Sequence, residues 1–183
     1  DPAQGPAGLG PDAASFPAAG YGFSFYSIGL CGYFVFADQD YESRIRGGHA
    51  SFYLRFSDTT VEAARAQINF LIALDSQTIT LYKDTVAPDG FIIYNADALK
   101  EPVTGKNIIG VPFEKMALES GGDKLFANSV ATGAIIGLVG CDFAILEKDL
   151  DEFFGGGKHP ETAQKNVQAA RAGFEFIHKQ SKQ

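Results

Sequence analysis

Ala50, Phe52, Leu54 and Phe56 alternate with Ser51, Tyr53, Arg55 and Ser57, so residues 49–57 carry one apolar face and one polar face. Strand side chains point alternately to the two sides, and this segment predicts a half-buried β-strand. Short apolar runs predict buried strands at Tyr33 to Phe36, Phe70 to Leu74, Phe91 to Tyr94 and Asn107 to Val111. A short helix is expected from about Ser76 to Thr85, and Pro88-Asp89-Gly90 reads as a turn leading into the next strand. Beyond Val111 the pattern becomes helical. Pro112 suits a helix's first turn, Gly121-Gly122 a helix end, and Asp123 the cap of a long apolar helix to Val139. Gly133 and Gly137 stand one turn apart in it, where another element can approach the backbone closely. A short helix ending at Phe153-Phe154 is halted by Gly155-Gly156-Gly157. The last helix, Glu161 to about Lys179, sets Val167, Ala170, Phe174 and Ile177 along one stripe.

Strands alternating with helices, followed by a helical layer, predict an α/β domain with helices packed on a mainly parallel or mixed sheet. The 183 residues form a single unit, 1–183, and a chain of this size can bury roughly 70% of its unfolded surface without metal or disulfide. Glycine and proline keep residues 5–12 out of helix or strand, and the helix expected between Ser15 and Leu30 is a poor one by propensity. The longest apolar stretch, Leu125 to Val139, is broken by Asn128, Ser129, Thr132 and Gly133 and falls short of the roughly 20 residues that span a bilayer. No basic-then-apolar signal opens the chain, and a start at Asp1 ahead of a glycine-rich run reads as a piece of something longer.

A net charge of −7 argues against a nucleic-acid partner. Cys31 and Cys141 are too few for a disulfide scaffold or an iron–sulfur cubane. Their apolar neighbours mark them as reduced core residues of a cytoplasmic protein. No metal-ligand spacing and no nucleophile motif appears, so neither a catalytic nor a metal site is expected.

Two segments stand out. Gly5, Gly8 and Gly10, ahead of Asp12, can expose backbone amides to an anion, or form a plain turn. The order G-x-x-G-x-G, with four residues before it, does not match a dinucleotide fingerprint. Between Ser43 and Ser57 lie Arg44, Arg46 and Arg55 and no acid. Guanidinium forks suit phosphate or carboxylate; the alternative is a solvated turn whose arginines pair with Asp38, Asp40 and Glu42. His49 is read as a hydrogen-bonded strand residue, and His159 and His178 as exposed.

The loop GPAGLGPD, the run Tyr33-Phe34-Val35-Phe36 and the segment DYESRIRGGH together resemble the γ domain of 2-oxoacid:ferredoxin oxidoreductases. The likeness continues through ASFYLRFSD, Ala73-Leu74-Asp75, PDGFIIYNAD, Asn128 in KLFANSVATGAIIGLVG and Asn166 in QKNVQAARAGFEF. The Arg-Gly-Gly-His form looks most like the γ domain fused ahead of the α portion in 2-oxoglutarate-type enzymes. The resemblance implies a three-layer α/β/α domain, lacking its first strand, in a cytoplasmic multi-subunit enzyme. That enzyme decarboxylates a 2-oxo acid with thiamine diphosphate, passes electrons through iron–sulfur clusters to ferredoxin and releases acyl-CoA. It further implies coenzyme A contacts at Gly8, Leu9, Gly10, Asp12, Ser43, Arg44, Arg46, Gly47, Gly48 and, at a helix start, Asn128. Thiamine diphosphate and the clusters then belong to partner chains, the α and β subunits, with ferredoxin reached indirectly. Two other readings stand beside this one: a purely structural interaction module, and a free-standing nucleotide-binding enzyme.

Overall fold

The computed structural model describes residues 27–41, 50–99, 103–105, 107–155 and 160–180. The helical turn α1 (residues 27–30) leads into β1 (Phe34–Tyr41), which pairs antiparallel with β2 (Ala50–Ser57); Phe34 faces Ser57 and Tyr41 faces Ala50. β3 (Ile68–Ala73) is followed by α2 (Ser76–Tyr82) and a 3-10 turn to Thr85, then β4 (Val86–Asn95) and β5 (Ile108–Val111). These three strands make a parallel sheet in the order β3-β4-β5. The helical half comprises α3 (Phe113–Gly121), a 3-10 turn (Lys124–Phe126), α4 (Ala127–Val139), α5 (Phe143–Leu150) with a π turn over Asp151–Gly155, and α6 (Pro160–Gln180). The fold is α/β.

Two apolar clusters hold it together. In the first, Ile93 and Val111 of the parallel sheet meet Phe113 and Ala117 of α3, Val130, Ala131 and Ala134 of α4, and Ala169 and Ile177 of α6. In the second, Ile28, Ile136, Cys141, Phe143, Leu146, Leu150 and Ala170 receive Tyr33, Val35, Leu54 and Phe56 from the hairpin's inner face. Of the apolar face predicted for β2, Leu54 and Phe56 pack against this cluster, while residues 51–57 of both faces are all only half-buried.

Small residues set the spacing of α4 against α6. A β-carbon on Gly133 would collide with the carbonyl of Ala170, and one on Gly173 with the carbonyl of Val130. Gly137 faces Phe174, where the same atom would sit 3.2 Å from a carbonyl oxygen. The approach expected at Gly133 and Gly137 is thus made by α6.

Several expectations need correction. Pro88-Asp89-Gly90 is no turn but lies within β4. Ile68 pairs with Val86 and Phe70 with Phe91, so two steps along β3 match five along β4; this bulge accommodates a proline that cannot donate to the ladder. Gly90 is required there, because a β-carbon would lie 2.8 Å from the carbonyl oxygen of Asn69. The strands also form two sheets rather than one, since β1-β2 and β3-β4-β5 share no ladder among the described residues.

Cys31 and Cys141 are joined in a disulfide, with Cα atoms 6.0 Å apart, and are not the reduced pair expected. Apolar surroundings house thiols and disulfides alike, and a separation of 110 residues concealed their meeting. His178 is half-buried, its ring centroid 4.4 Å from that of Phe174, instead of fully exposed.

Candidate functional site

Parallel sheets place ligand crevices beyond the carboxyl ends of their strands, where the chain leaves for its helices. An open pocket of about 320 Å³ lies at that end here, lined by Leu74, Asn95, Glu114, Asp123, Lys124, Leu125, Ala127 and Asn128. Leu74 follows the last residue of β3, and Asn95 is the last residue of β4. The other walls come from α3, the 3-10 turn and the first turn of α4.

Asn95 is only 5% exposed. Its Nδ2 donates to the Leu74 carbonyl at 3.4 Å, and its Oδ1 accepts from the Asp97 amide at 3.1 Å. One buried amide thereby ties the ends of two strands to the loop between β4 and β5. Asp97 goes on to accept the Lys115 amide at 2.9 Å, fixing the start of α3 against that loop.

Asn128 stands exposed in the first turn of α4. Its carbonyl accepts the Thr132 hydroxyl at 2.9 Å, and the residue after it is anchored from below. There the Ser129 hydroxyl donates to Oδ1 of Asn166 at 2.6 Å, while Nδ2 of Asn166 donates to the Thr162 carbonyl at 2.9 Å. Ser129 and Asn166 are both buried, so this part of α4 is held rigidly on α6. Beside Asn128, Leu125 is 83% exposed and offers an apolar wall.

The pocket's charged groups are Glu114, Asp123 and Lys124, two acids and one base. Lys124 Nζ lies 2.9 Å from Glu114 Oε2, and that hydrogen bond with its negative charge raises the lysine pKa above the ordinary value. Asp123 accepts the Leu125 amide at 2.9 Å. Similar carboxylates close other helix starts: Asp75 accepts from Thr78 at 2.7 Å, and Asp142 from Ala144 at 3.0 Å. With Asp97 on α3, three carboxylates of the chain accept at the starts of α-helices. Asp123 caps only the 3-10 turn, and α4 itself starts at Ala127 without a side-chain cap, contrary to the long helix expected from Asp123. The pocket suits a neutral polar or apolar group better than a phosphate.

Of the residues nominated from sequence, Asn128 alone falls within the described residues. Gly8, Leu9, Gly10, Asp12, Ser43, Arg44, Arg46, Gly47 and Gly48 lie outside them, as does His49. In the chain, residues 42–49 join β1 to β2. The third arginine of the basic run is committed to its own backbone: Arg55 Nη1 donates to the Ala63 carbonyl at 2.6 Å. Nearby, the Tyr53 hydroxyl accepts the Arg65 amide at 2.8 Å. Asn95, Glu114, Lys124 and Leu125 were not singled out from sequence. A polar residue ending the apolar run of β4 was the available signal for Asn95. Among the described residues no group of three or more His, Cys, Asp or Glu gathers as a metal site, and no helix is long and apolar enough to cross a membrane.

Residues 23–176 match a family model described as Pyruvate ferredoxin/flavodoxin oxidoreductase. Over 143 residues the chain is 26% identical to 2-oxoglutarate synthase subunit KorC of Archaeoglobus fulgidus, covering 78% of this chain and 71% of that one. It is 21% identical over 213 residues to subunit alpha of 2-oxoacid:ferredoxin oxidoreductase 2 of Aeropyrum pernix, covering 92% of this chain and 33% of that one. Among solved structures, the keto/oxoacid ferredoxin oxidoreductase gamma subunit of Geobacter sulfurreducens aligns with a TM-score of 0.67 at 24% identity, covering 88% of this chain and 90% of that one. The 2-oxoglutarate:ferredoxin oxidoreductase of Magnetococcus marinus, solved with 2-oxoglutarate, coenzyme A and succinyl-CoA bound, aligns with a TM-score of 0.78 at 19% identity. That match covers 88% of this chain but 29% of the larger polypeptide.

Proposed function

Because the chain belongs to the pyruvate ferredoxin/flavodoxin oxidoreductase family over residues 23–176, we propose that it is a single γ-type domain, 1–183, of a 2-oxoacid:ferredoxin oxidoreductase complex. It serves either as a separate γ subunit or as the γ portion of a fused α subunit. In this reading it contributes coenzyme A contacts and assembly surface, and no reacting group. The complex works in the cytoplasm beside α and β partner chains and delivers electrons to ferredoxin.

The ligand's parts divide between two places. Its pyrophosphate and 3′-phosphate call for backbone amides and guanidinium forks, which Gly8, Leu9, Gly10, Asp12, Ser43, Arg44, Arg46, Gly47 and Gly48 supply. Its neutral portion suits the pocket at the carboxyl ends of β3 and β4, between the Asn128 amide and the Leu125 side chain. The observation that carries the reading is this pocket, mostly apolar and without net positive charge, which is lined in part by a residue that the family resemblance nominates independently.

Thiamine diphosphate and the iron–sulfur clusters are assigned to the partner chains. The chain's two cysteines are too few for a cluster, which takes about four thiolates. The thiamine group would supply the acyl-carbanion chemistry there.

The purely structural alternative differs at the arginines, which would pair with acidic neighbouring subunits and hold no ligand. The test is the Arg46→Ala variant in the assembled complex. A KM for coenzyme A raised about tenfold or more at unchanged kcat supports the ligand role, on the scale of a lost charge-assisted hydrogen bond. An unchanged KM with weakened assembly supports the structural module.

A further inference from the structure

The hairpin is attached to the rest of the fold without backbone pairing. Among the described residues β1 and β2 share no ladder with the parallel sheet. Their inner face rests on apolar contacts of Tyr33, Val35, Leu54 and Phe56, and the Ser51 hydroxyl accepts from the Tyr82 hydroxyl at 3.1 Å. Just ahead of β1, the chain is secured twice over. The Ser27 hydroxyl donates to Asp149 at 2.8 Å in a buried setting, and Cys31 is bonded to Cys141. Cys141 lies between Gly140, which ends α4 in a left-handed conformation, and Asp142, which caps α5. The disulfide therefore runs from the root of the hairpin to the turn between two core helices.

The two sulfurs differ in access. Cys141 is 6% exposed within the second apolar cluster, whereas Cys31 is half-buried at its edge. An incoming thiolate reaches Cys31 first, and Cys141 is the leaving group. A cytosolic disulfide persists only while its surroundings allow, which is the property of a redox-sensing bond and not of a permanent brace.

We propose that Cys31 and Cys141 form a reversible thiol–disulfide site that sets how firmly the β1-β2 hairpin is held on the helical core. Reduction proceeds by exchange with a dithiol, a small molecule or a thioredoxin-like protein. Its first thiolate attacks Sγ of Cys31 and breaks the S–S bond, and Cys141 departs and takes a proton. The dithiol's second thiolate then resolves the mixed disulfide, so two electrons and two protons end on the two cysteines and the dithiol becomes a disulfide. Since residues 42–49, with Arg44 and Arg46, connect the two strands, the hairpin's hold bears on coenzyme A affinity; that consequence and the cytoplasmic setting rest on the proposed function, whereas the bond between Cys31 and Cys141 does not.

The experiment uses the full chain and needs no coenzyme. Iodoacetamide labelling followed by intact mass measurement, under denaturing conditions without reductant, is expected to add no alkyl group. After dithiothreitol treatment it is expected to add two. Amide hydrogen exchange should then quicken by about tenfold or more in residues 34–41 and 50–57, while α4 and α6 keep their protection, and reoxidation should restore the slow rates. The Cys31→Ser variant should exchange like the reduced protein in either condition. If that variant fails to fold, the wild-type comparison stands alone. Two free thiols in untreated protein, hairpin exchange indifferent to reduction, or an equal loss of protection in α4 and α6 would each overturn the proposal.

Discussion

The Ser27 hydroxyl donates to a carboxylate oxygen of Asp149 at 2.8 Å, across 122 positions of sequence and in a buried setting. Burial pushes the Asp149 pKa up to about 6; the Ser27 hydrogen bond pulls it down, and the nearby Glu152 charge adds to the rise. Because the folded state keeps a proton that the unfolded chain releases near 3.8, stability is greatest at low pH with respect to this group. It falls as pH rises from about 4 to about 6, and the full penalty applies above that range. Asp149→Asn keeps an acceptor for Ser27 and removes the charge. We expect it to stabilise the chain by about 1–2 kcal/mol at pH 7 and to flatten the profile from pH 4 to 6. A tenfold change in proton affinity is worth about 1.4 kcal/mol, and residual contact with solvent trims the total. Denaturant midpoints across that range check this, and a loss of stability at pH 7 would refute it.

Gly133→Ala tests the contact between α4 and α6. Alanine is the better helix former by roughly 0.5–1 kcal/mol, yet its β-carbon meets the Ala170 carbonyl, whose backbone cannot step aside. A net loss of about 2 kcal/mol is expected. Gly140→Ala is the control: nothing lies within 4 Å of its added carbon, and only the left-handed φ of +79° opposes it. It should cost about 1 kcal/mol. Thermal melts of the two variants decide whether close approach or backbone strain dominates.

Asn128→Ala in the assembled complex should raise the KM for coenzyme A about three- to tenfold without altering kcat, the scale of one neutral hydrogen bond. Arg55→Met should leave that KM alone and lower Tm instead, since Arg55 bonds the Ala63 carbonyl. A coenzyme effect from Arg55 equal to that from Asn128 would contradict the assignment of both.

Asp97→Ala removes the acceptor that meets the Lys115 amide and is expected to destabilise the chain by about 1 kcal/mol. The change should show in urea midpoints, with hydrogen exchange quickened at the start of α3. Equal protection at Lys115 in both proteins would count against the cap.

The elements that sequence revealed best are those governed by local rules. Period-two alternation found β2, and Pro112 and Gly122 marked the bounds of α3 because caps and left-handed ends are decided by one or two residues. Asp123, expected to cap the long apolar helix, instead caps the 3-10 turn before it, and α4 starts at Ala127 without a side-chain cap. Non-local facts escaped. The pairing of Ile68 with Val86 absorbs Pro88 into β4, and no local signal separates that bulge from a turn. The meeting of Cys31 with Cys141 depends on how the hairpin lies against α4 and α5. The candidate site divides the same way. Asn128 was legible through the family resemblance, whereas Asn95, Glu114 and Lys124 enter the pocket only because the ends of β3 and β4 meet α3 and the 3-10 turn there.

Asp75, Asp97 and Asp142 each sit where an uncapped helix would have greeted an anion. Small negatively charged metabolites, abundant in any cell, therefore meet like charge at those three openings. Discrimination against such bystanders is built in by the chain itself, before any ligand arrives.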